Sequence, residues 1–477
     1  MVDKRTMNVI HLGIGFMLVF TAFQTFGNME KTILDSIQKD DSSFHGDGYI
    51  SLALIYAMLA IGNWVAPSII GGLGPRLSMV IGSVTYLLFI ASFLFPKTWL
   101  LYVASALVGL GASIIWTGQG NYLTLNSDEF TMARNSGIFW ALFQSSMLYG
   151  NFFVFMVFQG KTHIDEGTKN LVSGVLAAVC GAGVGLLVVL RPSVGTDGQA
   201  LARRVVGPVE AFTEAIKLCS EKEMILLCFT FLYTGLAQTF YSGVYSPSIA
   251  ATLDISADPK RLMGLSGLFI GVGEIFGGVI FGLLGSKTVR WGRSPIVILG
   301  FVVNVVTYFL IFLNIPNEAP LGETHEAAYI KSNPYIAILC SGLLGFSDSC
   351  FNTQIYAAIG TIFSDRSVPA FAIFKFTQSL SAAIAFVYSL YIGLYIHIGI
   401  LIAWVLLGTI TFCITEVMVK RRKDLDDDIK KTAALHRLCR RIMLHRTGEN
   451  VTFASIIRIN IRLDLAFVIR MCLHHGT

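Results

Sequence analysis

Three ionisable residues, Glu274, Asp348 and Lys375, lie inside long apolar stretches of this 477-residue chain, and any chemistry would begin with them. Each would cost about 2.5–3.5 kcal/mol at the centre of a membrane helix, so such groups face a water-filled cavity or pair with one another. Two readings stand side by side. One is proton or ion coupling, in which a carboxyl near a lysine exchanges a proton as its access to water changes. The other is a structural bridge, with Lys375 and Asp348 the expected partners. Glu274 sits in Gly267-x-x-x-Gly271-x-Gly273-Glu274-x-x-Gly277-Gly278-x-x-x-Gly282, where glycines at four-residue spacing permit close approach of another helix. Packing accounts for the glycines and leaves the glutamate unexplained.

The elements that must position these groups follow from composition. Apolar residues make up 54% of the chain, charged ones only 14%, and the mean hydropathy is +0.66. A soluble enzyme, a secreted disulfide scaffold and a disordered protein are excluded. Apolar stretches at about 7–27, 49–70, 77–95, 99–122, 135–158, 170–190, 223–249, 264–285, 294–315, 334–362, 370–395 and 398–418 are each long enough to cross a bilayer as a helix. Barrel strands would alternate instead. The expected fold class is therefore all-α, with twelve transmembrane helices. Lys and Arg concentrate in one set of connecting segments, which puts both termini and the 191–222 stretch in the cytoplasm.

That stretch divides the spans six and six: residues 1–190 form a first half, 191–222 a linker, 223–420 a second half and 421–477 a cytoplasmic tail, disordered or lying on the membrane surface. The net charge of +5 reflects cytoplasmic loops facing anionic lipid, and no nucleic-acid signature accompanies it. No cofactor, metal-ligand cluster, phosphate loop or nucleophile elbow is expected. The eight cysteines lie in apolar or inward segments, so no disulfide is expected. The sequon at Asn450 falls in the tail, away from the glycosylation machinery.

Sliding the second half over the first reveals a repeat. At an offset of 214, Gln24-Thr25-Phe26 falls on Gln238-Thr239-Phe240, Gly71 on Gly285 and Arg76 on Arg290; at 234, Tyr122 falls on Tyr356 and Gln144-Ser145 on Gln378-Ser379. The change in offset matches the longer loop at about 316–333. Both halves begin on the same side with six spans, so the repeats are parallel and related by an axis along the membrane normal.

The segment Gly282-Leu-Leu-Gly285-Ser-Lys287-Thr-Val-Arg290-Trp-Gly292-Arg293 resembles the Gly- and Arg-rich loop of the major facilitator superfamily. Its counterpart Gly71-Gly72-Leu73-Gly74-Pro75-Arg76 lacks the acidic residue usual there. More narrowly, VIHLGIGFMLVFTAFQTFGNMEKTIL, WTGQGNYLT and SGIFWALFQSSMLYGN resemble the Unc-93-like branch, over roughly residues 7–420.

The resemblance implies the major facilitator fold, with a central cavity lined by spans 1, 4, 7 and 10. The polar candidates there are Gln24, Thr25, Gln119, Asn121, Tyr122, Gln238, Tyr241, Asn352, Gln354 and Tyr356. A solute pocket and plain hydrogen bonding between helices use the same side chains. Gln24 and Gln238, equivalent in the repeat, should approach the axis from opposite halves. Arg76, Arg290 and Arg293 would form cytoplasmic latch loops, unless they serve only the positive-inside bias. For function, the resemblance implies a regulator or trafficking partner of ion channels or receptors, with a potassium channel or membrane receptor as partner beside the lipid bilayer. The alternative, carried by the charges and the cavity polarity, is a secondary active transporter of a small solute, proton- or ion-coupled.

Overall fold

The computed structural model describes residues 3–157, 166–193, 208–257, 259–283, 292–389 and 391–445. Among them the chain is helical throughout, apart from loops and one isolated bridge between Thr252 and Thr324. In order, the first half holds α1 (Lys4–Asp40), α2 (Gly48–Leu73), α3 (Pro75–Ser92), α4 (Thr98–Leu125), α5 (Met132–Val157) and α6 (Glu166–Val188). A short helix, α7 (Pro208–Cys219), follows. The second half holds α8 (Lys222–Thr239), a π-helical turn (Phe240–Tyr245), α9 (Ser246–Ala251), α10 (Pro259–Leu283), α11 (Ser294–Asn314), α12 (Pro334–Ile362), α13 (Ser367–Ser389) and α14 (Leu394–His445).

Local chemistry sets the breaks. Asp47 caps α2 by accepting from Ile50 N, and Asn333 caps α12 ahead of Pro334. Gly74, at φ 80°, turns the chain between α2 and α3 in a conformation that a side chain would resist.

Eleven of these helices are long and apolar enough to cross a membrane. α5 has the length, 26 residues, but carries Arg134, Asn135, Gln144, Ser145, Ser146 and Asn151.

The helix pairings repeat between the halves. α2, α3 and α4 pack together as do α10, α11 and α12, and α1 lies on α5 as α8 lies on α13. The halves meet through α5 against α10 and α2 against α13, flanked by α5 with α12 and α4 with α13. Under the repeat, each of these pairings maps onto its partner, as parallel repeats about a common axis require.

Residues 1–416 form one compact unit and 417–477 a second. The last helix runs on to His445. The sequon at Asn450 lies outside the described residues. So does Arg290. α1 also exceeds its expected span, reaching Asp40.

Candidate functional site

α10 is pressed between α5 and α12, and its glycines make that possible. A Cβ at Gly273 would run into Gly342 O of α12, and one at Gly278 would stand 2.8 Å from Ala141 N of α5. Glu274 follows the first of these, on the same helix side as Gly271 and Gly278, and so is carried into the seam with α5. There Trp140 Nε1 donates to Glu274 Oε2 at 2.5 Å, a bond that crosses from one half to the other. Trp140 was not among the residues singled out from the sequence. Its one signal there is position, a helical turn before Gln144, which the repeat marks.

Glu274 is fully enclosed and Asp348 of α12 is 5% exposed. Asp348 Oδ2 accepts from Asn352 Nδ2 at 2.8 Å. The other oxygen of the glutamate, Oε1, makes no hydrogen bond, though the Gln144 side chain of α5 lies near the glutamate. The Asp348 carboxyl lies near the Glu274 side chain. Two enclosed carboxyls at close quarters repel one another when both are ionised. Tyr241, in the π-helical turn, is within electrostatic reach of both.

Lys375 of α13 does not form the bridge to Asp348 expected from sequence. Its Nζ donates to Gln378 Oε1 at 2.9 Å and lies 4.6 Å from the ring centre of Trp116, 4.5 Å from Phe374 and 5.6 Å from Tyr356. Asp348 acts on it only through space. No short lysine-to-carboxylate bridge forms because Asn352 and Glu274 take up the aspartate, while aromatic faces stabilise the lysine. Trp116 belongs to the first half, so this cation–aromatic pairing too spans the halves.

The remaining candidates divide. Gln119 is wholly buried with neither amide atom partnered, and the Tyr356 hydroxyl and the Oε1 of Gln354 are likewise buried without partners. The Gln354 amide donates to Thr353 Oγ1. Asn121 donates to Ser367 Oγ at 2.9 Å, joining the halves near the face where α1 begins. Gln238 is half-buried at the end of α8.

Others serve packing within one half. Gln24 accepts from Ser146 of α5, Thr25 bonds back to Thr21 O and abuts Gly150, and the Tyr122 hydroxyl donates to Arg191 O. Arg293 binds Glu416 at 2.7 Å, Ala357 O and Thr361, gathering α11, α12 and α14 of the second half alone. Arg76 lies near Tyr122 in the first half. Among the described residues, the hydrogen bonds and ion pair of Arg293 stay within the second half.

A further group emerges only from the structure. Because α1 runs past Gly27, where its candidate span ends, Glu30 is enclosed instead of lying in a loop, and burial, with Asp47 nearby, pushes its carboxyl up to about 8.

With this geometry in view, comparison with known proteins places the chain. Residues 40–413 match the model of the ion channel regulatory protein UNC-93. The chain belongs to the UNC-93 family. It is 42% identical over 438 residues to the UNC93-like protein MFSD11 of Xenopus tropicalis, covering 88% of this chain and 98% of that protein. Protein unc-93 homolog A of Homo sapiens is 25% identical over 458 residues, covering 87% and 94%.

Among solved structures, the major facilitator superfamily transporter FucP in the outward conformation matches with a TM-score of 0.61 at 11% identity, covering 87% of this chain and 99% of that one. The human organic anion transporter MFSD10 (TETRAN) matches at 0.56 and 13%, covering 87% and 100%. This UNC-93 family member is thus an integral multi-pass membrane protein that shares its fold with major facilitator transporters, and its relatives are not enzymes.

Proposed function

We propose that this UNC-93 family protein is a secondary active transporter, with α5 as a twelfth span, both termini in the cytoplasm, and a central site between halves that rock about it. The observation that carries this reading is the Trp140–Glu274–Asp348 cluster. A carboxyl pair buried at the seam takes a donor from the opposite half, so its hydrogen bonding must change whenever α5 and α10 part. Loss of the Trp140 donor would alter the pair's hold on a proton, which links protonation to the state of the seam. Lys375 over Trp116 adds a second pairing with the same property.

The test uses purified protein in liposomes, exposed to a metabolite extract under an inward proton gradient of one pH unit. One coupled proton supports about tenfold accumulation of a neutral solute. Accumulation that vanishes without the gradient, and in Glu274→Gln, is expected. Absence of any accumulating solute in folded protein would leave a second reading, regulation of an ion channel, which the family description favours. Recovery of channel subunits with the protein from native membranes would test that reading.

A further inference from the structure

We infer that the solute held at this central site is an organic anion, its carboxylate bound by Lys375. This rests on the transport reading for the solute's movement but not for its binding. The two sides of the cluster are unequally supplied. Glu274 and Asp348 each have a side-chain donor already, Trp140 and Asn352. Lys375 is 7% exposed and brings three N–H donors, of which one meets an oxygen, that of Gln378; it takes part in no ion pair among the described residues. Aromatic faces stabilise a cation but leave its N–H groups without acceptors.

One more donor lies close by without an acceptor, and the helix that carries Trp116 brings another. Tyr356, whose ring centre is 5.6 Å from Lys375 Nζ, has an unpartnered hydroxyl. Gln119, three residues on from Trp116 and so on the neighbouring strip of α4, has an unpartnered amide. An enclosed ammonium, a phenol and an amide, all short of acceptors, match an oxyanion with two oxygens. The site draws these donors from α4 of one half and α12 and α13 of the other, so a bound carboxylate would tie the halves together.

The test measures binding alone, on full-length protein in detergent. The probe is benzoate, compared with benzamide as its neutral counterpart of like shape and benzylamine as the cation, each titrated by calorimetry and followed by thermal unfolding. Benzoate is expected to bind saturably and about tenfold or more tighter than either counterpart. Lys375→Gln should abolish that preference and Lys375→Arg should keep it.

Equal affinity for benzoate and benzamide, a preference for benzylamine, or a benzoate preference that survives in Lys375→Gln would each overturn the proposal, the first two without need of any variant. Discrimination among the three probes in wild-type protein that shows no gradient-driven uptake would defeat the transport reading and leave the anion site standing. Uptake of a neutral or cationic solute with no benzoate preference would do the reverse.

Discussion

A carboxyl enclosed by protein works against the folded state once it ionises, and Glu30 is the case in this molecule that lies beyond the end of a candidate span. Its pKa is raised to about 8 by burial. The neutral form is the one the fold favours, so its contribution is fully present below the unfolded value near 4.5 and is lost as pH rises through about 8. Thermal stability of the purified protein should therefore fall between about pH 5 and pH 8, and Glu30→Gln should flatten that slope and raise stability at pH 8.5. An unchanged slope in the variant would show that the carboxyl is not what titrates. Glu30 was invisible in the sequence because the apolar run ends at Gly27 while the helix does not. Glu274, Asp348 and Lys375 were legible for the opposite reason, each being a charge in an apolar run. Their partners were not, since a tryptophan among apolar residues carries no mark of the carboxylate it will meet 134 positions away.

Among the elements, α10 carries the most constraint, because it must lie close to α12 within its own half and to α5 of the other. The glycine spacing showed in the sequence that some helix would approach closely, but spacing alone does not name the neighbour. The structure divides the glycines: Gly273 and Gly277 lie against α12, Gly271 and Gly278 against α5. Backbone atoms of α12 stand where a side chain at Gly273 would go, so they cannot turn aside as a flexible side chain could. Gly273→Val should force the helices apart at a cost of about 1–3 kcal/mol or more, seen as a lower unfolding temperature and loss of monodisperse protein. Gly174 of α6 supplies the control. Nothing lies within 4 Å of a Cβ there, and Gly174→Ala should be neutral or stabilising by up to about 1 kcal/mol. Equal effects at the two positions would mean that α10 is not packed as tightly as its glycines allow. Arg293 sits at a helix start, as its loop motif suggested, and its acceptors among the described residues belong to α12 and α14 of its own half.

For the whole molecule, the repeat is kept in packing and broken in chemistry. The offsets that align the halves set Ala60, Ile114 and Ala141 opposite Glu274, Asp348 and Lys375, so the second half holds every one of these charges and the first supplies Trp140 and Trp116 to meet them. Such a division makes the site exist only while the halves are together, which suits a molecule whose halves move. On the face where α1 begins they are held by Asn121 against Ser367 and by Gly120 against the ring of Phe371, which stands where a Cβ at that glycine would go. If transport needs this face to open, a pair of cysteines at Asn121 and Ser367, joined by a short bifunctional thiol reagent, should stop gradient-driven uptake almost completely. Each single cysteine treated alike should retain it, and a cleavable reagent should restore it on reduction. Uptake that continues with the cross-link in place would show that the halves need not part here. The closed face would then be a fixed joint, and the fold a rigid platform of the kind that regulation of a channel would require.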